Sequence, residues 1–136
     1  MNTNPTKRKA IVNNRVMITG EIPRVTKFEK GFPLQYKEEN EFELVPDPLV
    51  KDDQALVMNI KDKGLLILTG CGHAVIINTI KYAKKVTGVR KIYSVLGGLH
   101  LSGQVYEESI PLTIAELKRE DPRYCSMSLY RLESSI

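Results

Sequence analysis

Leu65-Leu66-Ile67-Leu68-Thr69-Gly70-Cys71-Gly72-His73 is the stretch on which the reading of the fold turns. Four consecutive apolar residues have the length of a buried strand, and the Gly-Cys-Gly-His run breaks that strand abruptly. The residues from Ala74 to Thr87 then read as a helix. Ile76, Ile80 and Ala83 recur at i, i+4 and i+7 with Ile77 beside them, and Gly88 suits a left-handed C-terminal cap. A buried strand passing through a glycine turn into a helix is the unit from which α/β sheets are built. Its carboxyl end is where such sheets gather ligands.

The same grammar extends in both directions. Downstream, Lys91-Ile92-Tyr93-Ser94-Val95-Leu96 predicts a second buried strand, ending in Gly97-Gly98-Leu99-His100-Leu101. After a loop, Ser109 is placed to cap a second helix with Ile110, Ile114 and Leu117 on one face, and Pro122 falls just beyond its end. Upstream, Ala55-Leu56-Val57-Met58-Asn59-Ile60 is a strand of similar character, joined to Leu65–Leu68 by a hairpin turn at Lys61-Asp62-Lys63-Gly64. Strand, helix, strand and helix in succession imply right-handed crossovers in one sheet. Earlier residues are weakly patterned, broken by Pro23, Pro33, Pro46 and Pro48, and only Val16-Met17-Ile18-Thr19 reads as a strand. Three parts are therefore expected: a weakly structured segment 1–54, an α/β half-domain 55–124 and an atypical tail 125–136.

His73 and His100 are the only histidines in the chain, 27 positions apart across one crossover. Each stands where a strand gives way to a glycine loop, so both can face one cleft. A neutral imidazole is the commonest protein metal ligand, and the alternative for each is a loop histidine bonded to backbone. Gly70 and Gly72 allow close backbone approach. The helix start after His73 favours an anion there: a thiolate, a phosphate or a hydroxide. Gly72 thereby joins the candidate substrate contacts. Cys71 is either a small buried side chain or a thiolate activated by that helix start. Asp52 and Asp53 are a carboxylate pair before a strand, with Asp53 a candidate metal ligand and a solvated turn the alternative. Arg24 is either a contact for a phosphate-bearing substrate or a surface arginine.

Four segments carry a family resemblance: Ile18-Thr19-Gly20-Glu21-Ile22-Pro23-Arg24, Asp52-Asp53-Gln54-Ala55-Leu56-Val57, Thr69-Gly70-Cys71-Gly72-His73-Ala74 and Gly97-Gly98-Leu99-His100-Leu101. In order and spacing they resemble the C-terminal half of a metallo-β-lactamase-fold metal-dependent hydrolase. More narrowly, they resemble the 7,8-dihydropterin-6-methyl-4-(β-D-ribofuranosyl)aminobenzene-5'-phosphate synthase subfamily of methanopterin biosynthesis. The match runs from Ile18 to about Asp121. It implies an α/β fold that is an incomplete metallo-β-lactamase-like domain, one β-sheet with flanking helices, half of an αββα sandwich. It implies a divalent metal, zinc first and manganese or iron next, with His73 and His100 as ligands. In the fold's layout this strand end often carries an acidic bridging residue, which makes Cys71 a soft replacement.

Departures from the family pattern set the expected function. The H-x-H-x-D-H motif that supplies most ligands in this fold does not occur in the chain. Nor does the ending match: Asp121-Pro122-Arg123-Tyr124 runs into Cys125-Ser126-Met127-Ser128-Leu129-Tyr130 where the subfamily has a P-x-H-C-T-G-like segment. A catalytic zinc commonly takes three protein ligands and one open position. Two histidines with Cys71 or Asp53 supply one such set and no two-metal clamp. The resemblance thus implies the C-terminal part of a hydrolase or a related synthase-like enzyme, inactive or weakly active alone and needing a complementary N-terminal half. The alternative is a non-catalytic truncated α/β domain that self-associates or binds a small phosphorylated molecule.

Composition narrows the classes further. At 136 residues one modest domain is expected. The net charge of +4 is mild, and Lys81, Lys84, Lys85, Arg90 and Lys91 read as a solvated face without the aromatic pattern of a nucleic-acid binder. No apolar run approaches the roughly 18 residues of a membrane span, and Lys7-Arg8-Lys9 without an apolar run is no secretory signal. Two cysteines make no disulfide framework. Neither a nucleic-acid nor a membrane partner is expected, and the expected location is cytoplasmic.

Overall fold

The computed structural model describes residues 10–12, 15–29, 31, 35–99, 101 and 104–128. Its strands are β1 (Ala10–Val12), β2 (Val16–Ile18), β3 (Tyr36–Asn40), β4 (Glu43–Pro46), β5 (Ala55–Ile60), β6 (Gly64–Thr69), β7 (Ile92–Gly98) and β8 (Tyr124–Ser128). Its helices are α1 (Ile76–Thr87) and α2 (Ser109–Glu120). Six strands form one sheet in the order β1-β2-β5-β6-β7-β8, and β3 with β4 forms a separate hairpin.

Antiparallel pairing joins β1, β2, β5 and β6, while β6, β7 and β8 run parallel. The turn at 61–63 makes the expected hairpin, pairing Ile60 with Gly64, and Asp62 takes a left-handed φ of 61°. Both parallel connections are crossovers through a helix. Right-handed crossovers that step the same way along a sheet place their helices on one face, and α1 and α2 do pack together, with Lys84 paired to Glu120.

The ladder register assigns each residue to a face. Met17, Val57, Ile67, Val95 and Cys125 form one cross-strand row, and Ile18, Leu56, Leu68, Leu96 and Ser126 the adjacent one. In the first row Met17, Val57, Ile67 and Val95 are 0–7% exposed. They make the core together with Leu65, Ile92 and the α1 residues Ile76, Ile77, Ile80 and Ala83. Alternate residues of one strand point to opposite faces, so the second row lies away from the helices. There Ile18 is 36% exposed, and Leu56, Leu68 and Leu96 are partly exposed.

Several sequence expectations are refined. Helix α1 begins at Ile76 rather than Ala74, because Val75, at φ 59° and ψ 146°, occupies the N-cap position. Gly88 closes it as expected, at φ 73° with its N–H donating to the Lys84 carbonyl. In α2 the buried residues are Thr113 and Leu117, with Ile110 packed against the core, and Ile114 is 47% exposed. The inward stripe therefore follows i, i+3, i+7 rather than i, i+4, i+7. Ser109 is the first helical residue and its hydroxyl donates to the Tyr106 carbonyl, so it does not cap the helix. Strand β8 crosses the boundary drawn at 124 and extends the sheet beyond β7. Among the described residues no helix is long and apolar enough to cross a membrane.

Candidate functional site

Two turns meet at the carboxyl ends of the adjacent parallel strands β6 and β7. The Gly98 N–H donates to the Gly70 carbonyl at 2.8 Å, and the Thr69 hydroxyl donates to the Gly98 carbonyl at 3.1 Å. This interlock is why glycine is required. Gly72 has φ +75°, and a Cβ there would lie 2.1 Å from the Gly98 carbonyl oxygen. Gly97 has φ +131°, and its Cβ would lie 2.2 Å from the Thr69 carbonyl oxygen. Both positions demand a backbone that residues with a Cβ rarely adopt, and both lack the space for one. Gly72 thus holds one turn against the other.

The interlock presents Cys71 as an exposed free thiol, with His73 partly exposed one turn before the helix. Asp53 reaches this turn from the residues before β5. Its Oδ2 accepts the Ala74 N–H at 2.6 Å. Burial pushes the Asp53 carboxyl above its ordinary range, while the Ala74 hydrogen bond, His73 and Arg24 pull it back. Asp53 and His73 are therefore electrostatic neighbours. Asp52 is exposed beside them.

Arg24 is turned to the main chain. Its guanidinium donates to the carbonyls of Ile22 at 2.9 Å, of Leu49, and of Val50 at 3.4 Å. Burial draws its pKa down, and Asp53 is the largest opposing influence. It ties residues 22–24 to 49–50 and stands beside Asp53. His100 lies outside the described residues.

The helix start holds a residue that sequence reasoning missed. Glu29 is 2% exposed, and its carboxylate accepts the N–H of Ile77 at 3.0 Å, the N–H of Asn78 at 2.9 Å and the Thr26 hydroxyl at 2.9 Å. Asn78 answers in the other direction: its Oδ1 accepts the N–H groups of Val25 and Thr26 at 2.8 and 2.9 Å, and its Nδ2 donates to the Ala74 carbonyl. Helix N-termini leave their first amides without intrahelical partners. Val75 has no side-chain cap to offer, and Glu29 takes that role from 48 residues away. No local pattern around Glu29 signals this, since the partner amides are brought to it only by the tertiary fold.

Two chain carboxylates thus fill the anion site expected at this helix start, Asp53 at Ala74 and Glu29 at Ile77 and Asn78. Beside it opens a cleft of about 610 Å³, whose lining includes Phe28, Glu29, Val75, Leu101, Tyr106 and Leu112. Among the described residues no group of three His, Cys, Asp or Glu side chains is placed to hold a metal ion. Asp53 and His73 come together, but these donors do not close a metal site by themselves.

Comparison with known proteins bears on this arrangement. No family model matches the chain. It is 39% identical over 70 residues to the 7,8-dihydropterin-6-methyl-4-(β-D-ribofuranosyl)-aminobenzene-5'-phosphate synthase of Methanocaldococcus jannaschii, covering 52% of this chain and 23% of that protein. It is 31% identical over 120 residues to an uncharacterized protein of the same organism, covering 85% of this chain and 41% of that protein. The chain spans less than half the length of the curated relatives it matches. Among solved structures, a metal-dependent hydrolase of the β-lactamase superfamily superposes with a TM-score of 0.61 at 22% identity, covering 92% of this chain and 55% of that one. The fold is similar to part of that hydrolase's fold, and the sequence is similar over 70 residues to that synthase.

Proposed function

We propose that this chain is the C-terminal part of a metal-dependent hydrolase of the metallo-β-lactamase superfamily, and that it supplies some but not all of the donors of a divalent-metal site. One observation carries the reading: the interlocked turns 70–73 and 97–98 at neighbouring parallel strand ends, with the Asp53 carboxylate on the Ala74 N–H next to His73. His73 and His100 are the proposed ligands, Cys71 and Asp53 the additional donors, and zinc the first metal to try. The remaining donors come from outside this set, in a complementary half, and the chain alone has little or no activity. The solved neighbour is named a metal-dependent hydrolase and the curated relative a pterin-precursor synthase, which supports the superfamily and leaves the reaction a proposal.

The small phosphorylated substrate belongs in the 610 Å³ cleft rather than on the helix start, because the amides of Ala74, Ile77 and Asn78 are already engaged. Lys27 is the cation among the described residues of that lining. The same occupied amides favour the second reading, a non-catalytic domain with no phosphate cradle.

Zinc titration of the purified chain by calorimetry separates the two. The hydrolase reading expects saturable binding that His73→Ala or His100→Ala each weakens at least tenfold. Binding that persists in both variants and vanishes with Cys71→Ser would be that of a lone surface thiol. That outcome, or the absence of binding, would leave the non-catalytic domain.

A further inference from the structure

The hairpin of β3 and β4 stands apart from the main sheet. Two strands alone are marginally stable in water at best, and this pair has little shelter. Every residue of β3 is exposed, as are Glu43, Leu44 and Pro46 of β4. Register sets Tyr36 opposite Pro46 and Glu38 opposite Leu44, so these four residues share one face. Tyr36 is 57% exposed, Leu44 65%, and Phe42, in the turn, 94%. Apolar groups gathered in this way on a surface mark a place of contact.

The base of the hairpin stands at the 610 Å³ cleft. Gly31 on the incoming side and Pro48 on the outgoing side both line that cleft. They touch: a Cβ on Gly31 would lie 2.2 Å from the Pro48 carbonyl oxygen. The Asp47 N–H donates to the Gln35 carbonyl at 2.7 Å and closes the neck. Each flank carries left-handed backbone, Gly31 at φ 99° and Val50 at φ 42°. Glycine accepts that conformation, whereas a β-branched residue is strained in it. Val50 is held there by its bonds. Its carbonyl and that of Leu49 accept the Arg24 guanidinium, and its N–H donates to the Asp47 carbonyl at 3.2 Å. Strain of this kind gathers at switch regions, and a hinge needs only a few residues that absorb a change in φ and ψ.

Across the cleft, Tyr106, Ser109 and Leu112 form the lip at the start of α2, with Leu112 48% exposed. At about 3.4 Å per residue the five residues of β3 reach about 17 Å, against about 10 Å for a compact cleft of 610 Å³. The hairpin is therefore long enough to span from one lip to the other.

We propose that β3–β4 is a lid for this cleft, swinging on Gly31 and Val50 and laying Tyr36, Leu44 and Phe42 over the apolar lining. These three residues are then further contacts for the bound molecule, made to its apolar part, and closure excludes water from around it. The proposal rests on the reading of the cleft as the substrate site.

Crosslinking tests the lid with no ligand present, so its failure strikes the lid and not the substrate reading. In a chain carrying Cys71→Ser and Cys125→Ser, Phe42→Cys is combined with Leu112→Cys in one variant and with Ile114→Cys in another. Ile114 is 47% exposed, as open as Leu112, but is not among the described residues of the lining. A short bis-maleimide is added to dilute protein, and circular dichroism checks the fold of each variant. The expected result is an intramolecular crosslink between positions 42 and 112 that forms at least tenfold faster than one between 42 and 114. If the Leu112 variant does not fold, Ser109→Cys on the same lip takes its place. Equal rates for the two pairs overturn the proposal, as do crosslinks that form only between molecules.

Discussion

Ile67 and Leu68 are neighbours on one strand, chemically near-equivalent, and they live in different surroundings. Ile67 is fully buried beneath the helices, whereas Leu68 lies on the uncovered side. The whole sheet repeats this contrast. One face is finished: two helices cover it, and α1 is anchored at its start by Glu29 and Asp53 and at its end by Gly88. The other is apolar and open. A continuous apolar run signals burial on both sides but does not say what provides the second cover.

The contrast is tested most severely by truncating both neighbours. Ile67→Ala should cost about 3 kcal/mol, the removal of fully buried methyl groups with a cavity left behind. Leu68→Ala should cost less than about 1 kcal/mol at concentrations where the chain is monomeric, since its side chain keeps contact with water. Urea denaturation of the two variants reads the difference, and equal losses would erase the distinction between the faces.

Removing the anchor of the finished face is the next perturbation. Glu29→Ala strips the amides of Ile77 and Asn78 of their acceptor, at a cost of about 2 kcal/mol. It should raise hydrogen exchange at the start of α1 more than in β5 or β6. Uniform exchange across the chain would mean that Glu29 does not anchor the helix. Gly72→Ala is expected to cost a similar amount, roughly 2 kcal/mol, from left-handed strain and the collision with Gly98. Its signature is local: amide shifts at Gly70 and Gly98 with the rest of the sheet unmoved. A neutral substitution there would contradict the interlock.

The smallest effect is a pH dependence. Burial holds the Glu29 carboxyl above its ordinary range, against the pull of the Ile77 and Asn78 amides, the Thr26 hydroxyl and Lys81. A carboxyl with a raised folded-state pKa holds its proton more firmly folded than unfolded. Its stabilising contribution is complete below the unfolded value and declines as pH rises through the folded one. Glu29→Gln should flatten that decline, measured as unfolding midpoints from about pH 4 to about pH 7. An unchanged slope would assign the decline to other groups.

Much of this was legible in the chain because it rests on local signals. The hairpin at 61–63, the glycine turn into α1, the Gly88 cap and the crossover into β7 are all written within a few residues of where they act. The glycines of the interlock were visible as glycines, but the partner each faces was not, since Gly72 meets Gly98 only after the crossover has returned the chain. Ile114 misled because it is the apolar member of the i+3 and i+4 pair, whereas packing buries the polar Thr113 and leaves Ile114 exposed. Glu29 was silent altogether: a buried carboxylate acting 48 residues away leaves no period to read. Of the candidate site residues, Asp53 lies within electrostatic reach of His73, whereas Arg24, the candidate substrate contact, is engaged with carbonyls of its own chain.

The most direct test of the central claim, that one face of this sheet is finished and the other apolar and open, is the protein-concentration dependence of unfolding, since an open apolar face favours self-association. Folding coupled to dimerisation makes the midpoint rise with concentration, and dissociated chains make it constant. The account expects the urea midpoint of the unsubstituted chain to rise over a hundredfold concentration range and that of Ile18→Lys to stay fixed. A constant midpoint for the unsubstituted chain would contradict it.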